Sequence, residues 1–533
     1  MAPLRTITLL LLIFANISSF VICSTPADHG YDDFLECLID QFERSNSATD
    51  IIYTPRNATY ASLLLAQNLR PASAAPERPD LIVTPLHVSE IQAAVSCSRK
   101  LGLQIRVRSG GHDYEGLSYT SAGAPFVVVD MRNFRSVTVD AGAKTAWIQV
   151  GATLGQLYYT LSRESDTLAF PAGVCPTVGI GGHFSGGGYG MISRRHALAA
   201  DNIVDARLVN AAGKVVDRST MGEDLFWAIR GGGGTSFGIV LEFKVKLVTV
   251  PEIVTVFNVT RTLEENAAEL IGKWQEIADK VDENLLLRLF LNPDISPATG
   301  KNTVAASFTS LYLGTAEELL PIMQKEFPEL GLQKNDCLEM RWIDTILYMS
   351  GLQNQTLETL IDRTPQGFFL RSYFKGKSDF VSDPIPATGL NEMWKLLEGE
   401  DGVQVQFSPY GGALSKFSES ETPFPHRRGT RFMIHYGVSW ADPDESGSRI
   451  DWIRRLYNVT EPYVMRNPRA AYFNYRDLDI GRNNEGNTSY EQARVWGMSY
   501  FKGNFRRLVR VKTKFDPSNF FRNEQSIPPL VSE

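Results

Sequence analysis

The chain has 533 residues, of which 43% are hydrophobic and 21% are charged, and its formal net charge at pH 7 is −7. This length and apolar content suffice for several packed domains. The acidic balance excludes the basic surface that is typical of a nucleic-acid-binding protein.

The first 24 residues predict a secretory signal peptide. Arg5 precedes an apolar run at 7–14, and small or polar residues follow it. This run is too short to span a bilayer, and no later stretch is long enough. We therefore expect entry into the secretory pathway and an extracellular, apoplastic or vacuolar destination. Five Asn-x-Ser/Thr sequons further predict a glycoprotein: Asn57, Asn258, Asn354, Asn458 and Asn487.

Five cysteines divide into one pair and three single thiols. Cys23 lies at the end of the predicted signal peptide. Cys37 and Cys97 both lie on amphipathic helical patterns, and an oxidising compartment favours a disulfide between them. Cys337 is then expected to be a buried free thiol. Cys175 lies in a glycine-dense run and cannot easily reach a partner without distorting that loop.

Short strands and helices alternate through the predicted first domain, residues 25–252, and indicate an α+β fold stitched by glycine loops. The predicted strands are 80–84, 104–108, 138–139, 146–150 and 239–247. The predicted helices are 88–100, 154–163 and 224–229.

Residues 253–470 have longer elements and predict a second domain, an antiparallel sheet with helices on one face. The predicted helices are 264–281, 315–326, 391–397 and 446–457. The predicted strands are 285–291, 304–313, 367–374, 403–407 and 431–440. Residues 471–533 form a last unit, in which Ser489 and Gln492 can cap a helix.

Three glycine-rich clusters, at 108–116, 173–190 and 230–238, carry the strongest chemical signal. Backbone N–H groups in such turns can cradle phosphates. None of the clusters matches the dinucleotide fingerprint or a Walker motif, so a simple doubly wound nucleotide fold is not expected. His112 and Cys175 lie in two of these clusters. We expect both side chains to face a ligand that binds close to the backbone of these loops.

Two other chemistries fit these residues poorly. A metal site of His112, His183 and His196 with Cys175 lacks helical ligand spacing and obvious acidic partners. A hydrolase with Cys175 as nucleophile would lack a useful oxyanion-hole amide at Pro176. Covalent attachment of a cofactor is the remaining interpretation.

Six motifs make the chain resemble the plant berberine-bridge-enzyme-like family of secreted FAD-linked oxidoreductases, over essentially the whole mature chain. They are 108–119, 175–183, 200–206, 423–427, 474–479 and 519–529. The resemblance implies a two-subdomain FAD-binding domain of the p-cresol methylhydroxylase and vanillyl-alcohol-oxidase type, completed by the C-terminal segment 471–533. Residues 253–470 would then form the substrate domain.

The resemblance implies FAD tethered twice, through His112 to the 8α-methyl group and through Cys175 to C6. Two anchors would fix the ring and withdraw electron density, which raises its redox potential. The Cys37–Cys97 pair also matches a disulfide of this family. Further cofactor-binding residues implied are Ser109, Gly110, Gly111, Gly179, Gly182, His183 and Asn519.

The same resemblance implies Tyr475 as the catalytic base or substrate-positioning group, with Tyr189 as a second active-site tyrosine and Tyr410 in the pocket. Strand 431–440 would direct Met433 and His435 to one face. Many relatives carry Lys and Gln or Glu at these two positions, so His435 is either a base or a space-filling residue.

Two further residues bear on substrate and electron acceptor. Arg288 interrupts an apolar strand, so it lines a cavity or, as we rather expect, lies exposed or in an ion pair. Val178 resembles the family's oxygen gatekeeper, where valine goes with oxidases and leucine with dehydrogenases. The expected partners of a monomer are therefore a small-molecule substrate and molecular oxygen.

The predicted function is oxidation of an alcohol, an amine or a prenylated phenolic, with hydride transfer to FAD and release of hydrogen peroxide, and with oxidative cyclisation as one outcome. A carbohydrate oxidase is the main alternative. A flavin-holding cyclase or cycloaddition catalyst with little redox turnover is another. A storage, defence or allergen-like glycoprotein with weak activity is the alternative outside catalysis.

Overall fold

The computed structural model describes residues 26–41, 50–65, 68–69, 78–364, 371–484 and 488–530. The predicted signal peptide, Cys23 and the sequon at Asn487 lie outside these residues. Three sheets organise the described part of the chain, together with a two-stranded pair of Leu168–Ala169 and Val248–Thr249.

The first sheet has four strands in the order Ile52–Tyr53, Leu81–Val83, Phe126–Asp130 and Gln104–Arg108. The last three strands pair in parallel. Helices Pro26–Gln41 and Val88–Leu101 pack together beside this sheet, and the disulfide between Cys37 and Cys97 joins them. The predicted disulfide is therefore confirmed.

The second sheet is antiparallel, with five strands in the order Val215–Asp217, Ile203–Asn210, Gly238–Lys246, Thr145–Gln149 and Val137–Asp140. Helices that accompany it are Leu154–Glu164, Ile180–Ser185, Ser193–His196 and Arg218–Ala228. Two small sheets with their helices agree with the expected two-subdomain architecture.

The third sheet has eight strands, of which all but the last neighbouring pair are antiparallel. Their order is Leu338–Met340, Val254–Thr262, Asn302–Tyr312, Leu285–Ile295, Val403–Pro409, Phe432–Trp440, Ser372–Val381 and Asn68–Leu69. Four helices pack with its alternate side chains in one core: Ala267–Ile277, Ala316–Glu326, Ala387–Leu397 and Ser446–Thr460. The predicted antiparallel sheet with helices on one face is confirmed.

The two faces of strand Leu285–Ile295 pack into different hydrophobic cores. Leu285, Leu287 and Leu289 lie in the core under the helices. Leu286 instead joins the large core that includes the first half of the chain. Arg288 shares the face of Leu286, as side-chain alternation requires. The uncovered face of the third sheet is therefore turned toward the glycine loops.

The C-terminal segment returns to the first half of the chain. Helix Tyr490–Phe501 begins at the predicted Ser489 cap, and helix Asn504–Phe515 follows it. The fully buried Lys512 ammonium donates hydrogen bonds to the carbonyl of Ser236 at 2.7 Å and to Asp516 at 2.7 Å. The exact domain boundaries stay predictions, although the strands of the third sheet begin at Val254–Thr262.

Several elements differ from their sequence prediction. Residues 367–370 of the strand expected at 367–374 lie outside the described residues, and its described part belongs to strand Ser372–Val381. The helix expected at 264–281 is only Ala267–Ile277. Strand Phe126–Asp130 was not predicted, because all its side chains are buried and it therefore shows no alternation. Other short elements are helices Ala58–Leu64 and Trp342–Met349. No helix in the described ranges combines the length and apolarity that crossing a membrane requires.

Candidate functional site

Two of the glycine clusters pack directly against each other. A Cβ on Gly110 would lie 2.3 Å from the amide nitrogen of Gly179, and one on Gly179 would lie 2.1 Å from Ser109 Oγ. Ser109 Oγ donates to the carbonyl of Val150 at 2.5 Å and accepts from the amide of Gly181 at 3.3 Å. Only glycine permits this approach, which brings the two loops that carry His112 and Cys175 together.

His112 and Cys175 converge on one hydroxyl group. His112 Nε2 lies 2.9 Å from Thr177 Oγ1, and Cys175 Sγ lies 3.6 Å from the same oxygen. Burial lowers the pKa of His112 to about 4, so its imidazole is neutral. Burial raises the pKa of Cys175 to about 11, and its thiol forms no disulfide. The structure therefore brings these two predicted residues together as neutral groups.

His183 lies between the Cys175 loop and the C-terminal segment. Its Nε2 accepts a hydrogen bond from the amide of Gly173 at 2.9 Å, and its carbonyl accepts one from Asn474 Nδ2 at 2.9 Å. Burial lowers the pKa of His183 to about 4. These contacts tie the Cys175 loop and the C-terminal segment to helix Ile180–Ser185.

A cavity of about 360 Å³ lies beside His112. Its wall combines the backbone of the first glycine cluster with Thr177, Asp130 and guanidinium groups, which are Arg108, Arg132, Arg135, Arg363 and Arg371. Arg363 donates to the carbonyls of Gly151 at 2.9 Å and Ser109 at 3.3 Å. Glycine amides and an excess of guanidinium groups suit a phosphate-bearing ligand such as the diphosphate of a dinucleotide.

A group of aromatic rings surrounds Tyr475. The imidazole of His435 lies 4.1 Å from its ring centroid, and the ring of Tyr114 lies 5.5 Å away with an interplanar angle of 1°. A Cβ on Gly376 would approach the Tyr114 ring to 2.7 Å, so a glycine is needed beneath that ring. Tyr114 was not predicted, although it is two residues after His112.

Strand Phe432–Trp440 has the predicted alternation. Phe432, Ile434 and Tyr436 are buried under the helices, whereas His435 turns toward Tyr475. Met433 is fully buried on the His435 side of the strand. Burial and then the charge of Arg288 lower the pKa of His435 to about 3, and its buried Nε2 has no hydrogen-bond partner. His435 is thus a neutral group with a poor proton affinity.

The environment of Arg288 contradicts our expectation of an exposed or ion-paired side chain. Arg288 is 8% exposed and its buried Nε has no hydrogen-bond partner. Its guanidinium lies 5.8 Å from the ring centroid of Tyr189 and 6.0 Å from that of Phe290. The prediction failed because strand alternation gives the face of a residue but not what covers that face. The structure places Arg288 beside the aromatic rings of Tyr189 and Phe290.

Opposing effects act on the acidity of Tyr475. Its burial raises the pKa of the phenol, whereas the positive charge of Arg288 and a hydrogen bond with Gln406 lower it. Gln406, which the sequence did not single out, lies opposite His435 on the neighbouring strand. An amide is therefore present beside His435, although it comes from another strand.

Tyr475 lies on a turn. Residues 473–475 form this turn. Arg476 Nε lies 3.7 Å from Asp113 Oδ2, and its guanidinium lies 4.1 Å from the ring centroid of Phe473. The sequence did not predict this turn, because strand patterns do not distinguish a strand from a short irregular segment rich in aromatic residues.

Tyr189 and Tyr410 stack against each other. Their ring centroids are 5.5 Å apart, and Tyr189 Oη donates to the carbonyl of Pro409 at 2.5 Å. Burial raises the pKa of Tyr189 far above its usual value. Tyr410 Oη is buried without a hydrogen-bond partner. The hydroxyl of Tyr189 is therefore engaged, whereas that of Tyr410 is not.

The remaining predicted residues are Val178, Asn519, the asparagines of the sequons and Cys337. Val178 is half-buried, and its carbonyl accepts from the amide of Leu154 at 2.9 Å. Asn519 has a φ of 52°, and its buried Oδ1 has no hydrogen-bond partner. The described sequon residues Asn57, Asn258, Asn354 and Asn458 are all exposed. Cys337 is a free thiol but only half-buried, which corrects our expectation of full burial.

Two family models match this chain. The model described as FAD binding domain matches residues 79–219, and the model described as Berberine and berberine like matches residues 471–528. The first match contains both His112 and Cys175, and the second contains Tyr475. The residues that converge in the structure therefore belong to the two matched segments.

Individual proteins resemble the chain over nearly its whole length. Berberine bridge enzyme-like 18 of Arabidopsis thaliana is 48% identical and covers 93% of this chain and 92% of its own. Tetrahydroberberine oxidase of Berberis wilsoniae is 45% identical, with coverages of 97% and 98%. The crystal structure of Phl p 4, a grass pollen allergen with glucose dehydrogenase activity, aligns with a TM-score of 0.87 at 44% identity, over 94% of this chain and 100% of that one.

Proposed function

The chain belongs to the berberine bridge enzyme-like family of FAD-dependent oxidoreductases, and from this membership we propose that it oxidises an alcohol, an amine or a phenolic, including prenylated phenolics, with FAD held by His112 and Cys175. The convergence of these two side chains on Thr177 Oγ1 is the observation that carries the proposal. A neutral imidazole and an unpaired thiol are both able to form a bond to a ring placed between their loops.

The residues present fit FAD. The arginine-lined cavity beside His112 suits a diphosphate, and the packed glycines leave backbone close to any group bound there. Bound FAD would accept a hydride from the substrate and pass two electrons to an acceptor. Arg363 keeps a positive charge at neutral pH, because burial lowers its pKa only to about 10.

Tyr475 is the residue that we assign to proton removal. It lies among aromatic rings. Burial raises the pKa of its phenol, and the charge of Arg288 and a hydrogen bond with Gln406 partly offset this rise. Proton transfer by a positioned side chain requires the ionised phenol near the substrate hydroxyl, amine or phenol. His435 binds or orients the substrate through its unpartnered Nε2, since its low pKa makes it a poor base.

The electron acceptor that we propose is molecular oxygen, with hydrogen peroxide as product. Val178 supports this choice, because a smaller side chain at the gatekeeper position leaves more room for oxygen. Oxidative cyclisation of a prenylated substrate is one outcome of the same hydride removal.

A carbohydrate oxidase or dehydrogenase is the second candidate, favoured by the likeness to a grass pollen allergen with glucose dehydrogenase activity. The aromatic rings around Tyr475 favour an aromatic substrate, because ring faces offer apolar surfaces for stacking. Tyr114 and His435 stack with Tyr475, and Tyr189 stacks with Tyr410.

The disulfide of Cys37 and Cys97 is consistent with the secretory pathway. We propose an extracellular or vacuolar location for a glycosylated monomer. Exposure of Asn57, Asn258, Asn354 and Asn458 supports glycosylation, because glycans attach to accessible side chains.

One experiment tests the tethers and the reaction together. The purified yellow protein is precipitated with acid, its tryptic peptides are weighed, and its flavin absorbance is followed anaerobically with alcohols, amines, phenolics and sugars. We expect no free FAD in the supernatant, flavin-bearing peptides that contain His112 and Cys175, and bleaching by an aromatic alcohol, amine or phenolic. Free FAD would refute the tethers. Product formation without bleaching would refute oxidation in favour of a cyclase.

A further inference from the structure

A mostly buried cluster of charges includes two residues that follow Tyr475 and joins four segments of the chain. Its carboxylates and cations are Glu115, Asp477, Asp479, Lys375, Lys377 and Arg454. Glu115 follows the His112 loop, and Asp477 follows Tyr475. Both lysines belong to strand Ser372–Val381. Three cations thus face three carboxylates, and the cluster is neutral as a whole.

Lys375 is the member that connects the two loops. Its ammonium donates to Asp477 Oδ1 at 2.7 Å and to Glu115 Oε1. Glu115 Oε1 also accepts from the amide of Leu478 at 3.1 Å. Lys375 and Glu115 have side chains that are 7% and 3% exposed. These hydrogen bonds are therefore shielded from water and hold their partners in one geometry.

The two loops are paired residue by residue. Asp113 lies against Arg476, with 3.7 Å between Oδ2 and Nε. The ring of Tyr114 is parallel to that of Tyr475. Glu115 then meets the amide of Leu478. Three successive contacts thus place the loop that begins with His112 alongside the loop that presents Tyr475.

Stability alone does not explain such a cluster. Burying charges carries a desolvation penalty, and apolar replacements of a buried ion pair are often neutral or stabilising. The Lys377–Asp477 contact at 2.6 Å would also survive without Lys375. What only Lys375 supplies is the bridge between Glu115 and Asp477. Its contribution is therefore the relative position of the two loops.

We infer that Lys375 is a positioning residue of the active site: through Asp477 and Glu115 it fixes the hydroxyl of Tyr475 relative to the side chain of His112. The inference rests on the proposed function, in which these two residues act on the substrate and hold FAD. It predicts that one lysine, which need touch neither substrate nor cofactor, affects both the attachment of flavin at His112 and the rate of flavin reduction.

The test is the double variant Lys375→Met with Glu115→Gln. It removes one positive and one negative charge, so the remaining cluster of Lys377, Arg454, Asp477 and Asp479 stays neutral. The charged link through Lys375 is lost, whereas the Asp113–Arg476 and Tyr114–Tyr475 contacts remain. The matched control is Leu397→Ala, which removes a fully buried side chain at the end of helix Ala387–Leu397 in the core of the third sheet.

Two measurements on the full-length proteins separate an effect on the position of the two loops from an effect on the stability of the protein. The fraction of flavin released by acid and the mass of the His112 peptide report the tether without any substrate. Stopped-flow reduction of the flavin reports the limiting rate and the apparent Kd separately. The substrate is the one that bleaches the wild-type flavin in the screen.

For the double variant we expect a mostly untethered His112 and a limiting reduction rate that falls about 100-fold with little change in Kd. Leu397→Ala is expected to lower thermal stability and leave both readouts unchanged. A double variant that keeps its His112 tether and its wild-type rate would overturn the inference. Equal losses in the Leu397→Ala protein would also overturn it. A wild-type protein without tethered flavin would instead refute the proposed function.

Discussion

The imidazole of His435 lies against the phenol ring of Tyr475, with ring centroids 4.1 Å apart and planes inclined by 27°. Burial keeps this imidazole neutral, with a pKa lowered to about 3. His435 therefore brings no positive charge to Tyr475. The cation that lowers the pKa of the phenol is Arg288, on a different strand.

Substitution Tyr475→Phe removes the proposed base and keeps the ring stack with Tyr114 and His435. We expect the limiting rate of flavin reduction to fall by roughly 10²–10⁴-fold, the usual contribution of a positioned acid or base. The apparent Kd of the substrate should change little. Anaerobic stopped-flow absorbance measures both values. An unchanged rate would mean that Tyr475 does not remove the proton.

Substitution Arg288→Gln removes a positive charge that lowers the pKa of Tyr475. The ionised phenol is the active form, so the reduction rate rises with pH through this pKa. Without Arg288 the pKa is higher, and the rising limb of the pH profile should move to higher pH. Arg288→Lys keeps the charge and should leave the limb closer to that of the wild type. Identical profiles for the Gln and Lys variants would contradict an electrostatic role.

Single and double substitutions of His112 and Cys175, the proposed tethering residues, should differ in whether acid releases the flavin. In His112→Ala or Cys175→Ala one bond remains, so acid-precipitated protein should stay yellow. In the double variant all flavin should appear in the supernatant. The redox potential should also fall in each single variant, because one electron-withdrawing anchor is lost. Spectra of the pellet and supernatant, with a potentiometric titration, check these outcomes.

Substitution Val178→Leu enlarges the side chain at the proposed oxygen gatekeeper. We expect slower reoxidation of the reduced flavin by dissolved oxygen, because the larger side chain leaves less room for oxygen, with substrate-driven reduction unchanged. Double-mixing stopped-flow experiments resolve the two half-reactions. Slow reoxidation in the wild type, with no effect of the substitution, would identify a dehydrogenase.

Substitution Gly179→Ala places a Cβ 2.1 Å from Ser109 Oγ and forces the two glycine loops apart. We expect a loss of about 1–3 kcal/mol in unfolding free energy, the usual effect of overpacking, together with a lower flavin content. Gly272→Ala is the control, since no atom lies within 4 Å of its added Cβ. Chemical denaturation and the ratio of flavin to protein absorbance measure the two effects.

Local patterns in the sequence were sufficient for much of the fold. The helix cap at Ser489 and the alternation of strand Phe432–Trp440 depend only on neighbouring residues, and both are found in the structure. The Cys37–Cys97 disulfide followed from two helical patterns and a cysteine count. Such features need no knowledge of distant parts of the chain.

The parts of the site that sequence missed depend on contacts between distant segments. Arg363 lies outside any regular element, so no periodicity marks it as a wall of the arginine-lined cavity. The burial of Arg288 arises from packing of the third sheet against aromatic side chains of other segments. Gln406 reaches Tyr475 from the strand beside that of His435. Single-strand patterns carry no information about such pairings.

The return of the C-terminal segment has a consequence for biosynthesis. The contact between Leu478 and Glu115 spans 363 residues, and Lys512 satisfies the carbonyl of Ser236. A ribosome must therefore release almost the entire polypeptide before the Tyr475 loop can meet the His112 loop. If FAD attaches to His112 and Cys175 as proposed, attachment at the fully formed site would follow folding of the whole chain. A protein truncated after the third sheet would then carry no tethered flavin.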